Sequence, residues 1–353
     1  MNNFYSLPVI NVRKLTKDSV SIKFDVSSLD ASAFSFQSGQ YITIDHKIND
    51  VDVRRAYSIS SSPNEGVEIG VKLVEGGLMS TFLTKELKVL DALQIMSPNG
   101  NFLLEVNSEN NNHYVGICSG SGITPILSMI KNVLENEPNS SFSLIYGNKT
   151  TSSVMYSEDL NKLKKLYQKR LFIYYAYSRE IVNGAINGRL EVESLTRLFH
   201  DNLNLNEAHS YLICGPGTMI ENVKDFLEDT NISKNKIKFE LFSSSLKEKD
   251  IKNKSENINL MSSVTVCIDG DDFDFELSSD GASILESALE AGADVPYSCK
   301  GGVCSVCKAK VMEGSATMDI NYSLTDEDVE DGFILTCRAH PTSEKLLVDY
   351  DEM

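Results

Sequence analysis

Val20, Ile22, Phe24 and Val26 alternate with polar neighbours, the period of a strand with one buried face. The stretches YITID (41–45), RAYSIS (55–60) and VEIGVKL (67–73) follow at short intervals, so the pattern predicts a small antiparallel barrel over residues 1–106. One helix over 79–87 interrupts it, opened by GGLMST (76–81), where unpaired backbone N–H groups at the helix start suit a phosphate. After a polar linker, Asn107 to Asn112, the rhythm changes to strand, turn, helix. HYVGIC, SFSLIYG, RLFIYYAY and SYLICG read as buried strands with helices between them, which predicts a parallel α/β domain over 112–242.

Residues 243–259 carry almost no apolar side chain, and 243–260 is expected to be a flexible tether. The last domain, 261–353, begins with VTVCID, turns at Asp269 to Asp272 and returns as FDFEL. A helix over 283–291 then precedes a loop rich in cysteine. The chain is therefore multidomain: an antiparallel β-barrel, a parallel-sheet α/β domain and a small α+β domain.

Charge sharpens this division. The net charge of −17 is concentrated in the last third, where 20 acids face 5 bases from Met261 to the end. Such a surface repels nucleic acid and steers toward a basic protein partner. No apolar run approaches the roughly 20 residues of a membrane span, and MNNFYSLPV lacks the basic and apolar regions of a signal peptide. The expectation is a cytoplasmic protein with no membrane partner and no disulfides.

The chemistry centres on SCKGGVCSVCK (298–308). Cys299-x4-Cys304-x2-Cys307, completed by Cys337, is the ligand pattern of a plant-type two-iron two-sulfur (2Fe-2S) cluster. Gly301 and Gly302 are expected to take positive φ, so that backbone N–H groups can approach the cluster sulfurs. Zinc sites usually pair two short Cys-x2-Cys units or add histidine, so the x4 spacing argues against zinc. A Rieske centre would need two histidines in place of two cysteines. Cys118 and Cys267 are expected not to bind metal, and His340 is expected in a turn with Pro341.

A second motif, Gly116-Ile-Cys-Ser-Gly-Ser-Gly-Ile-Thr-Pro125, places a glycine turn between a strand and a helix, as a nucleotide pyrophosphate requires. Pro125 stands where the third glycine of a standard Rossmann fingerprint falls. Neither GxxxxGK[ST] nor GxSxG occurs, which removes the commonest NTPase and hydrolase readings.

Arg55-Ala56-Tyr57-Ser58, GGLMST, GSGITP and Cys214-Gly215-Pro216-Gly217, in that order, resemble the ferredoxin-NADP reductase superfamily. With ILESALEAGADVPYSCKGGVCSVCKAKVMEG and ILTCRAHP they are similar to the phenylacetyl-CoA epoxidase reductase group. The resemblance covers nearly the whole chain and implies an FAD barrel, an NAD(P) domain and a β-grasp ferredoxin domain. It implies an NADPH-dependent reductase that passes electrons through FAD and a 2Fe-2S cluster to an oxygenase or hydroxylase component. Reductases of the phthalate dioxygenase type share the domain order but use FMN. A reductase for another acceptor, such as a deoxysugar dehydrase, or an iron-sulfur carrier that does not oxidise NAD(P)H, are the alternatives.

Residue by residue, the resemblance assigns flavin contacts to Arg55, Ala56, Tyr57, Ser58, Lys72, Leu78, Met79, Ser80 and Thr81. Phe242 is a flavin cover or else a core phenylalanine. Gly120, Ser121, Gly122, Thr124, Pro125, Gly215 and Pro216 would line the nucleotide site. Ser178 and Arg179, with Lys149, would clamp the 2'-phosphate that separates NADPH from NADH. Ser58 and Cys214 would orient the reacting flavin and nicotinamide, although Cys214 could equally be a small buried hydrophobe.

Overall fold

The computed structural model describes residues 4–30, 32–242 and 260–352. These fall into two compact units, Phe4–Phe242 and a C-terminal unit described from residue 260. Residues 243–259 of the expected tether lie outside the described residues.

In the first unit β1 (Phe4–Thr16), β2 (Ser19–Phe24), β3 (Tyr41–Ile48), β4 (Val51–Ser58), β5 (Glu68–Lys72) and β6 (Ala92–Asn99) form one antiparallel sheet in the order β4-β3-β6-β1-β2-β5. Register shifts along β1 let this long strand bend between its two partners. A bridge between Ile59 and Ile69 brings the end of β4 back to β5 and curls the sheet into a barrel. The alternation seen in the sequence fills the interior with Ile22, Phe24, Ile42, Ile44, Ile69 and Ile95. Helix α1 (Leu78–Lys85) adds Met79 and Leu83 to this core.

The same unit continues with β7 (His113–Ser119), α2 (Ile123–Asn136), β8 (Ser141–Asn148), α3 (Ser157–Leu166), β9 (Leu171–Tyr177), β10 (Ile186–Asn187), α4 (Val192–Asp201), β11 (Ser210–Gly215), α5 (Gly217–Asp229) and β12 (Ile237–Leu241). All strand pairs are parallel, in the order β10-β9-β8-β7-β11-β12. The order reverses between β7 and β11, where Cys118 faces Cys214. Ligands of open α/β sheets bind beyond the carboxyl ends of the strands at such a reversal.

In the C-terminal unit β13 (Met261–Ile268) and β14 (Asp271–Ser278) form a hairpin over Asp269 and Gly270, both at positive φ, the two-residue turn that matches strand twist. The chain continues through α6 (Ile284–Glu290), β15 (Lys308–Glu313), β16 (Ala316–Met318), α7 (Asp326–Glu330), β17 (Phe333–Leu335), β18 (Ala339–Pro341) and β19 (Lys345–Asp349). Five strands pair as β14-β13-β19-β15-β17, and β16 pairs with β18. Ser283 caps α6 through a capping box with Glu286, and Ile284, Leu285 and Ala288 turn into the core. His340 lies in β18 opposite Thr317, so the turn expected there is a strand: ladder pairing with β16 holds the segment extended. Among the described residues no helix is long and apolar enough to cross a membrane.

Candidate functional site

The cysteine loop runs from the end of α6 to β15, and Cys337 follows β17, the strand beside β15. The Thr336 backbone N–H and hydroxyl both donate to the Cys307 carbonyl, and Tyr350 donates in turn to the Thr336 hydroxyl. These bonds hold Cys337 against Cys307. The four sulfurs fall into two contacting pairs, Cys299 with Cys304 and Cys307 with Cys337. Two pairs fit a two-iron cluster, to which each pair would supply two thiolates.

Backbone N–H groups also point at sulfur, Gly301 at Cys299 (3.3 Å) and Cys299 at Cys304 (3.4 Å). Cys304 and the N–H groups of Gly301, Val303 and Cys304 lower the Cys299 pKa to about 6 against the opposing effect of burial, while the Cys299 contact and burial raise that of Cys304, so within this pair Cys299 is the thiolate and Cys304 keeps the proton. Ser298 Oγ, next in the chain, is buried and has no partner among the described residues, a free donor where a sulfide-bearing group would accept.

The loop's backbone departs from expectation at one position. Positive φ occurs at Lys300, Gly302 and Ser305 but not at Gly301, whose N–H is instead aimed at Cys299 Sγ. Cys267 lies on β13, its sulfur and the Asp349 and Asp351 carboxylates within 4.8 Å of one another, and those carboxylates already accept the Asp269, Gly270 and Asp351 N–H groups.

In the barrel, Arg55 is exposed on β4 and Tyr57 is half-buried on the same side of the strand, with Ala56 between them. Burial raises the Tyr57 phenol well above its ordinary pKa while the Arg55 charge opposes the shift. At α1, Met79 fills the barrel core and Leu78 faces solvent. The Ser80 hydroxyl turns back to accept the Val74 N–H (3.1 Å), so an anion at this helix start meets first-turn N–H groups and half-exposed Thr81 rather than Ser80 Oγ. Lys72 ends β5, 3.9 Å from the Asp18 carboxylate.

The glycine turn packs against the neighbouring strand. A Cβ on Gly122 would lie 2.1 Å from the Cys214 carbonyl oxygen, and Tyr146 OH donates to the Gly120 carbonyl (2.8 Å). Ser121 sits between them and accepts from Thr124 Oγ1 through its carbonyl. Pro125 occupies the first turn of α2, where its missing N–H has no partner to lose. Gly215 ends β11 and Pro216 precedes α5 as its N-cap.

At the next edge, the Ser178 N–H donates to the Asn148 carbonyl and the Arg179 N–H to that of Lys149. This pairing sets exposed Arg179 beside exposed Lys149, while the Glu180 carboxylate turns to the Thr151 N–H (2.7 Å).

One acid has no counterpart among the residues expected from sequence. Ser58 Oγ donates to Glu240 Oε2 (3.1 Å), across 182 positions of chain, and Glu240 stands beside the buried Cys214 thiol. Although part of the residue is open to solvent, the carboxyl lies among protein atoms, and burial raises its pKa from 4.5 to about 8, with the Ser58 bond opposing. Burial first, then Glu240 and Cys118, hold the Cys214 thiol far above its ordinary pKa, so it is a neutral group shaping the site. The fold thus gathers Ser58, Glu240 and Cys214 from the barrel and two neighbouring strands. Phe242, two residues beyond Glu240, is 38 % exposed and is not a core phenylalanine.

The raised Glu240 pKa means that the folded chain binds a proton the unfolded chain releases between pH 4.5 and 8, so this group makes stability fall as pH rises through that window. Thermal midpoints of the flavin-free chain should therefore decline from pH 5 to 8 more steeply in the parent than in Glu240→Gln. Parallel profiles would contradict the assignment.

Three family models match the chain: an oxidoreductase FAD-binding domain over residues 6–103, an oxidoreductase NAD-binding domain over 117–225, and a 2Fe-2S iron-sulfur cluster binding domain over 266–342. The chain is 36% identical to one of the subunits of the 1,2-phenylacetyl-CoA epoxidase of Escherichia coli K12, covering 99% of both proteins. It is 26% identical to the ferredoxin reductase component of 3-ketosteroid-9-alpha-monooxygenase from Rhodococcus rhodochrous, over 98% of this chain and 96% of that one. The solved structure of phthalate dioxygenase reductase superposes with a TM-score of 0.61 at 22% identity, covering 98% of each chain.

Proposed function

The chain belongs to the ferredoxin-NADP reductase superfamily, among oxygenase reductases with a C-terminal plant-type ferredoxin domain, and from that premise we propose that it carries electrons from NADPH to the oxygenase component of a phenylacetyl-CoA epoxidase or a similar diiron hydroxylase. It is an NAD(P)H-type oxidoreductase with FAD-binding and 2Fe-2S domains. Bound flavin supplies the conversion of a two-electron hydride into single electrons, which the cluster carries onward.

The observation that carries this reading is the meeting of Ser58, Glu240 and Cys214 beside the Gly120–Gly122 turn, in one chain with the paired sulfurs of Cys299, Cys304, Cys307 and Cys337. Arg55 and the α1 N-terminus would hold flavin phosphates, and Tyr57 would flank the ring. Ser58, its hydroxyl proton engaged by Glu240, would lie at the reacting edge. Gly120 to Thr124, Gly215 and Pro216 would line the nucleotide site, the glycines letting the backbone approach the phosphates. The acidic C-terminal unit favours a basic docking surface on the acceptor.

Lys149 and Arg179, side by side at the edge of β8 and β9, favour the 2'-phosphate of NADPH. In the Ser178→Ala/Arg179→Ala double variant the ratio of kcat/KM for NADPH over NADH should drop by about 10- to 100-fold, the worth of charge-assisted hydrogen bonds to a dianion. An unchanged ratio would sink the NADPH assignment while leaving the reductase reading in place.

A further inference from the structure

Four serines follow one another closely where the flavin strand leaves the barrel, Ser58, Ser60, Ser61 and Ser62, and all are buried. Each of the first three joins a different element of the nucleotide domain. Ser58 Oγ reaches Glu240 on β12, Ser60 Oγ meets Tyr156 OH at 2.8 Å, and the Ser61 carbonyl accepts from Ser128 Oγ of α2 at 2.6 Å. Lys131 of α2 adds an ion pair to Glu65 (2.6 Å) just beyond.

The Tyr156 contact is the most constrained of these. Ser60 has one hydroxyl proton, which goes to the Glu68 carbonyl (3.1 Å), so Tyr156 is the donor in their bond. Tyr156 takes φ +57 at the N-cap of α3, a conformation a bulky residue adopts only when its surroundings require it. Gly70, in the middle of β5, makes the room: a Cβ there would lie 2.7 Å from Tyr156 OH and 2.7 Å from Thr124 Cγ2. Tyr156 and the nucleotide turn's Thr124 therefore meet the barrel at one point, Gly70 of β5, while Ser60, which bonds Tyr156, lies two residues beyond Ser58. Arg13, bonded to Asp159 of α3 (3.0 and 3.2 Å), closes the other side.

From this we infer that Tyr156 is a positioning residue: its bond to Ser60 fixes the flavin strand carrying Ser58 relative to the Gly120–Thr124 nucleotide turn, and so sets the approach of nicotinamide to flavin. The inference rests on the pyridine-nucleotide reductase reading above. Loss of a single buried hydrogen bond changes nothing that touches either ligand, yet a small displacement of reacting groups is costly to rate.

The test uses the full chain and a double-mutant cycle of Tyr156→Phe and Ser60→Ala. In the flavin-free proteins, hydrogen exchange of the Ser60–Ser62 and Ser157–Leu160 amides should quicken about fivefold or more in Tyr156→Phe, the loss of one net hydrogen bond. In the FAD-loaded proteins, the limiting rate of flavin reduction at saturating NADPH should fall about tenfold in Tyr156→Phe with unchanged nucleotide affinity, and the double variant should be no slower than the slower single variant. Parent rates in Tyr156→Phe, a rate loss that follows weakened nucleotide binding, or additive effects in the cycle would each overturn the proposal. A parent chain whose flavin neither NADPH nor NADH reduces would overturn the reductase reading itself, and the positioning role with it.

Discussion

Serine at Cys337 should yield a chain that still oxidises pyridine nucleotide but delivers no electrons through a cluster. Cys337 is buried against Cys307 and held there by the Thr336 bonds to the Cys307 carbonyl, so no other cysteine can reach its place. A serine oxygen is a harder, far less acidic ligand than a thiolate and suits iron-sulfur chemistry poorly. After anaerobic reconstitution, iron and acid-labile sulfide should be lost from Cys337→Ser while flavin content and NADPH-driven ferricyanide reduction stay at the parent level. Full iron and sulfide in the variant would remove Cys337 from the ligand set. Equal loss of flavin activity would mean that the substitution had unfolded more than the ferredoxin unit.

Alanine at Gly122 should damage the nucleotide domain far more than alanine at Gly120, two residues away. The Gly122 Cβ would stand 2.1 Å from the Cys214 carbonyl oxygen and 2.6 Å from its carbon, both backbone atoms of a strand paired on either side. Neither neighbour can swing aside as a flexible side chain would. Overpacking of this kind costs about 3 kcal/mol, which in a unit of this size lowers the melting midpoint by roughly 6–12 °C. Nucleotide affinity should collapse as well, because relief of the clash must move either the turn or the end of β11. Gly120 has φ +56 but open space around its Cβ position, so alanine there meets only the left-handed backbone cost of about 1–2 kcal/mol. Thermal scans with nucleotide titrations of both variants check this. A Gly122→Ala protein as stable as Gly120→Ala would contradict the packing described.

What is legible in the sequence is what short stretches encode. The strand period of Val20 to Val26, the glycine turn between HYVGIC and its helix, and the spacing of Cys299, Cys304 and Cys307 are local patterns whose geometry follows from a few consecutive residues. Cys307 and Cys337 are legible as members of one ligand set, but their support by Thr336 and Tyr350 is not, since nothing local marks a threonine as a strut. Glu240 is silent in the sequence because its meaning depends on β12 lying parallel to β11 and on Ser58 arriving from the barrel. The available signal is an acid between two apolar strand residues, Phe239 and Leu241, near the more conspicuous aromatic Phe242. Ser80 reads as a hydroxyl for a phosphate because the helix start is visible in sequence, whereas the direction in which its side chain turns is decided by Val74. Gly70 and Tyr156 are ordinary strand and helix-start residues until the two domains are brought together.

The central claim, an ordered passage of electrons from pyridine nucleotide through flavin to the cluster, is tested most directly by adding one equivalent of NADPH anaerobically to cluster-loaded protein with and without FAD, and following the reduced cluster by electron paramagnetic resonance. The account predicts a reduced-cluster signal in the FAD-loaded protein and none in the FAD-free protein. A signal of equal size without FAD, or no signal from either NADPH or NADH when both groups are bound, would contradict it.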